Sequence, residues 1–132
     1  RAGLLDQITK DHSLLQEQID AGLITVEQAA TSTIKNLVTR ALGVDDSVLM
    51  DVSEFAVQVG DVYLMCSDGL SDMIDDAAIA KIIMEDSPLE QKATQLIDSA
   101  NENGGRDNIS VLMVEVHPAA EKRGLIARWL GK

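Results

Sequence analysis

Residues 60–75 read GDVYLMCSDGLSDMID, and the parsing of this stretch decides the fold. Val62-Tyr63-Leu64-Met65-Cys66 is an apolar run of strand length. Ser67-Asp68-Gly69 breaks it, and Leu70, Met73 and Ile74 then recur at helical spacing. An acid is thus delivered at the C-terminal end of a buried strand, where a rigid element meets solvent. A second acid stands in Gly104-Gly105-Arg106-Asp107-Asn108, just before a nearly continuous apolar run over residues 109–116.

Working outward, the 132-residue chain is 45% hydrophobic, enough for one folded domain. Aromatics make up 2% and the net charge is −11. Stacking platforms and a basic surface are therefore both missing, which excludes nucleic acid as a partner. The charge is uneven. Residues 117–132 hold Lys122, Arg123, Arg128 and Lys132 against Glu121, a net of +3, which leaves −14 for the first 116 residues. Cys66 is the sole cysteine, so no intramolecular disulfide forms, and its place in an apolar strand predicts packing rather than nucleophilic chemistry. No secretory signal, membrane-length apolar run or lipidation motif is present, and a reducing cytoplasm is expected. The start at Arg1 gives the expectation that this is a piece of a longer chain.

In order, Leu4, Leu5 and Ile8 suggest a short strand. Thr9 to Ser13 reads as a turn or cap before a helix from Leu14 that Gly22 ends. Thr25 and Gln28 have capping-box spacing for a second short helix. Apolar residues in 36–42 suggest a helical turn or short buried segment. Residues 48–59 alternate imperfectly and predict two strand pieces, the simplest pairing being a hairpin with Val62–Cys66. Asp75 and Asp76 can cap a helix with Ala78, Ile79, Ile82 and Ile83 on one face. Ser87-Pro88-Leu89-Glu90 starts another, with Ser87 at the N-cap and a stripe of Leu89, Ala93, Leu96, Ile97 and Ala100. Asn103-Gly104-Gly105 terminates it. In the tail, Leu125, Ile126, Trp129 and Leu130 share a helical face. Such a segment either packs back on its own domain or binds a membrane or partner, the former being expected of so short a helix.

Asp68 and Asp107 both adjoin buried strands. If those strands are neighbours, the acids converge at one edge, where hard carboxylates suit Mg²⁺ or Mn²⁺. Asp72, four residues after Asp68, can face the same ion. An EF-hand starting at Asp68 fails, because Met73 and Ile79 occupy the positions that need Gly and Glu. Zinc fails too, since only Cys66, His12 and His117 are available, far apart in sequence. His12 reads as a capping or surface residue. No nucleophile elbow or P-loop is present.

The pair GDVYLMCSDGLSDMI and GGRDNISVLMVEV, with ITKDHSLLQEQIDAGLIT and NLVTRALG upstream, resembles the C-terminal half of a bacterial PPM/PP2C-type protein phosphatase. The resemblance covers residues 4–116. It implies an α+β fold, part of a four-layer αββα sandwich with antiparallel sheets. Flap helices would lie at the N-terminal end, over about residues 13–35, with two amphipathic helices before the last strand; residues 117–132, outside the resemblance, read as a basic amphipathic tail. It implies two Mn²⁺ or Mg²⁺ ions activating a water that attacks phosphoserine or phosphothreonine, with no residue acting as covalent nucleophile. By the resemblance Asp68 and Asp107 are metal ligands, Asp72 matches a third-ion position, and Asn108 and Ser67 orient the carboxylates. The substrate would be a protein phosphorylated by a Ser/Thr kinase, with no membrane partner. The upstream parts of the family pattern, including the Asp-Gly pair whose acid bridges both ions, are not among these residues, and Thr31-Ser32-Thr33-Ile34-Lys35 replaces the usual His-Pro turn. The chain alone is therefore expected to be inactive and to self-associate. The alternative is a non-catalytic interaction or regulatory module that keeps the fold.

Overall fold

The computed structural model describes residues 1–119 except Thr33, Lys35, Asn36, Val44, Asp45 and Leu49. The expected tail helix through Trp129, like Asn36, lies outside the described residues. In chain order the elements are α1 (Leu14–Asp20), α2 (Val26–Ala30), β1 (Val62–Cys66), α3 (Asp68–Ser71), α4 (Asp76–Ile83), α5 (Leu89–Glu102) and β2 (Val111–Glu115). They fall into two units: Arg1–Leu5 with the chain from Phe55 onward, and Asp6–Glu54.

The larger unit is built on β1 and β2, which pair antiparallel with Leu64 opposite Met113 and Cys66 opposite Val111. Alternation sends Leu64, Val111 and Met113 to one face, where they join a core of Leu70, Ile74, Ile79, Leu96 and Ala100. Leu70 and Leu96 are fully buried, each such side chain contributing about 1.5–3 kcal/mol. The amphipathic reading of α4 holds, since Ala78, Ile79, Ile82 and Ile83 all meet this core. Asp75 caps α4 by accepting the Ala78 N–H at 2.8 Å, and Lys92 Nζ donates to the Ile83 carbonyl at 2.7 Å near its other end. At the end of α5 the Gly105 N–H donates to the Ala100 carbonyl and the Gly104 N–H to Asn101. That terminator needs glycine, and φ is +126° at Gly104 and +50° at Gly105.

Several expectations are corrected. β1 pairs with β2, and among the described residues of 48–59 the expected hairpin with β1 is not seen. Met50, Val52, Phe55, Val57 and Val59 are all exposed, and among the described residues no strand forms there. Residues 4, 5 and 8 form no strand either. β2 is shorter than the 109–116 run, because only Val111–Glu115 finds partners on the five-residue β1. α5 begins one residue later than expected, with Pro88 at the N-cap and no side-chain bond. The Ser87 hydroxyl is instead buried without a hydrogen-bond partner. The sheet among the described residues has two strands, so the architecture seen is a mixed helix and strand layer.

In the smaller unit, Ser13 caps α1 by accepting the Gln16 N–H at 3.2 Å. α2 carries the predicted capping box: Thr25 N–H to Gln28 Oε1 at 2.8 Å, and Gln28 N–H to Thr25 Oγ1 at 3.3 Å. Among the described residues of 36–42 the expected helical turn or buried segment is not seen. Val38 bridges Ser13 in antiparallel fashion, flanked by Leu14 N–H to the Leu37 carbonyl and Thr39 N–H to the His12 carbonyl, and Leu37, Val38 and Leu42 are exposed.

Candidate functional site

The chain leaves β1 at Ser67, and this residue ties the two strand ends together. Its N–H donates to the Ser110 carbonyl at 3.0 Å. Its hydroxyl donates to the Asn108 carbonyl at 2.9 Å and accepts the Ser110 N–H at 3.0 Å. Because β2 pairs with β1, the 107–108 segment entering β2 lies beside the Ser67-Asp68-Gly69 segment leaving β1. The strand pairing therefore brings the main chain at Asp68 and at Asp107 close together.

The two carboxylates are arranged alike. Asp68 Oδ1 accepts the Gly69 N–H at 2.9 Å, and Asp107 Oδ1 accepts the Asn108 N–H at 2.6 Å. One oxygen of each is thus oriented by the next residue's backbone. The other, Oδ2, takes no hydrogen bond among the described residues, and both side chains are exposed. Asn108 Nδ2 also approaches Asp107 Oδ1, at 3.5 Å.

Asp72 closes α3, its N–H donating to the Asp68 carbonyl at 2.8 Å. Among the described residues no three His, Cys, Asp or Glu side chains converge as a metal cage, and Asp72 is not drawn into one with Asp68 and Asp107. Two hard oxygen donors with free lone pairs fit an octahedral divalent ion that keeps most of its waters, and they do not fit zinc.

Cys66 departs from expectation, because the residue is exposed at the strand end. Partial burial, and then the Asp68 charge, push its thiol above the ordinary value. The thiolate is disfavoured, which argues against a nucleophilic role.

Two features went unread in the sequence. Gly69 rests against the backbone of Asp107 and Asn108, a contact that only the strand pairing creates. Arg1 and Asp61 form a clasp under the start of β1. In the smaller unit, Lys10, Asp11, His12, Glu17, Asp20, Arg40 and Asp51 line a cavity of about 150 Å³. His12 Nε2 lies 3.3 Å and Arg40 Nη1 3.1 Å from Asp51 Oδ2, in line with the surface role expected of His12. Asp20, bonded first by Lys10 and then by Gln16, is held below the usual carboxylate range.

No protein-family model matches the chain. It is 41% identical over 112 residues to the serine/threonine phosphatase stp of Listeria innocua, covering 85% of this chain and 44% of that one. The solved Streptococcus agalactiae serine/threonine phosphatase superposes with a TM-score of 0.82 at 38% identity, over 89% of this chain and 48% of that one. A structure of the catalytic domain of the protein phosphatase PstP with two manganese ions superposes with a TM-score of 0.76 at 36% identity, over 89% and 48%. The chain spans less than half the length of the curated relatives it matches.

Proposed function

We propose that this chain, a homologue of bacterial serine/threonine phosphatases of the PP2C type, supplies part of a divalent-metal centre that hydrolyses phosphoserine and phosphothreonine in proteins. The observation that supports the reading is the pairing of β1 with β2, which joins the strand end that Asp68 follows to the one that Asp107 precedes, with one oxygen of each carboxylate oriented by the next backbone N–H. Asp68 and Asp107 are the proposed ligands. Ser67 and Asn108 hold their backbones, and Asp72 stands apart as a weaker, third-ion position. Mn²⁺ or Mg²⁺ bound here would acidify a water and offset the charge of the phosphoryl oxygens.

This chain's residues do the orienting. The Gly69 and Asn108 N–H groups fix one oxygen of each carboxylate, leaving the free oxygen for the ion. Cys66 stays protonated and takes no part. The remaining ligands, the second sheet of a four-layer sandwich and the phosphate-binding groups would come from polypeptide corresponding to the unmatched part of the relatives.

The test is a chimera joining this chain to the unmatched part of the Listeria innocua relative, assayed with Mn²⁺ on a phosphothreonine peptide. Turnover lost in both Asp68→Ala and Asp107→Ala supports the proposal. Turnover that survives both substitutions sinks the assignment of Asp68 and Asp107 as ligands, and a folded chimera without turnover sinks the catalytic reading and leaves the non-catalytic module.

A further inference from the structure

Asp68 and Asp107 stand next to different strand ends, and between these ends one backbone rests on another. A Cβ built on Gly69 would lie 2.4 Å from the Asn108 carbonyl oxygen, 3.0 Å from its carbonyl carbon and 3.4 Å from that of Asp107. The partners are main-chain atoms flanking Asp107, so a side chain here would have to drive α3 away from the 107–108 segment. Conformational freedom is not what calls for glycine: Gly69 is absent from the glycines with positive φ. In a helical turn alanine is the better residue by about 1 kcal/mol. What the position requires is the missing Cβ. On the strand side of the same contact, the Ser67 hydroxyl holds the Asn108 carbonyl at 2.9 Å and the Ser110 N–H at 3.0 Å. The segment carrying Asp107 is therefore gripped from both sides of Asp68.

We propose that Gly69 is a positioning residue for a divalent cation. By seating the first turn of α3 on the Asp107-Asn108 backbone it holds the two carboxylates within reach of one ion, with the Ser67 hydroxyl clamping the same contact. The inference rests on the metal-ligand reading of Asp68 and Asp107, and it adds a specific cause for their spacing. Residues that orient metal ligands from behind typically change affinity by about 10–100-fold.

The test is Mn²⁺ titration of the ¹⁵N-labelled chain, read as paramagnetic broadening of the amide signals at positions 69 and 108. In the wild type the two signals broaden together, and Asp68→Asn abolishes the effect. In Gly69→Ala, with the α5 and β2 signals retained, about 10-fold more Mn²⁺ is required and the two positions no longer respond together. Ser67→Ala, which removes the hydroxyl without adding volume, shifts the titration the same way, and Ser67→Thr restores it. Joint broadening at unchanged Mn²⁺ in a folded Gly69→Ala chain overturns the positioning role and leaves the metal reading standing. No broadening in the wild type, or full broadening in Asp68→Asn, overturns the metal reading and this inference with it. If Gly69→Ala does not fold, Ser67→Ala decides, and an unchanged titration overturns the proposal.

Discussion

Arg1 grips Asp61 across sixty residues of chain, its Nε and Nη2 donating to the two carboxylate oxygens at 2.7 Å each. The Gln58 N–H adds a third bond to Oδ2 at 2.7 Å, and the same guanidinium reaches the Ala56 carbonyl at 2.8 Å. Asp61 is the only buried charged side chain among the described residues, and it immediately precedes β1. The clasp therefore pins the entry to the strand whose far end carries Asp68.

The clasp makes stability depend on acid. The Arg1 side-chain bond, and then the Gln58 N–H, hold the Asp61 carboxyl well below the usual carboxylate range. A folded value below the unfolded one means that the stabilisation is fully present above about pH 4 and is lost as pH falls through the depressed folded value. Thermal melts of the wild type and Asp61→Asn should differ at pH 7, and the gap should close below pH 4. A gap that is constant down to pH 2 would show that the charge contributes nothing. Arg1 is about half exposed, so solvent screening limits the size of the effect.

Core and uncovered face of the sheet should respond differently. Leu96→Ala removes a fully buried side chain and is expected to cost about 2–5 kcal/mol in urea unfolding. Leu112→Ala, on the other face and 56% exposed, is expected to stay within about 0.5 kcal/mol. Equal costs would mean that the outer face is buried in solution.

Metal should stabilise the fold by mass action. Mn²⁺ at ten times its dissociation constant adds about 1.4 kcal/mol to the native state, visible as a rise of several degrees in Tm that EDTA reverses. Asp68→Asn and Asp107→Asn should each remove the rise. A rise that persists in both would place the bound ion elsewhere.

Cys66 should react slowly with iodoacetamide at neutral pH, because burial and the Asp68 charge both disfavour its thiolate. Asp68→Asn removes the second cause and is expected to quicken the reaction and move its pH profile downward. An identical profile in that variant would show that the two groups do not interact.

The reading from sequence succeeded where the signal is local. Asp75 capping α4, the Thr25 and Gln28 box, the Ala78 to Ile83 face and the glycines after α5 each depend on residues within a turn or two, so spacing suffices to find them. It failed where a partner must come from elsewhere in the chain. The alternation of residues 48–59 is a burial pattern, and alternation does not name the strand that would pair with it. Cys66 was expected to pack because its strand is apolar, yet the last residue of that strand lies at the open end.

The acids of the candidate site divide the same way. Sequence alone determined that Asp68 follows an apolar strand, that Asp107 precedes one, and that no cysteine or histidine set could hold zinc. Whether those strands are neighbours, and in which register, was decided only by the tertiary structure. Ladder hydrogen bonds join β1 to β2 regardless of the residues between them, so it is the pairing of Cys66 with Val111 that brings Gly69 onto the Asn108 carbonyl.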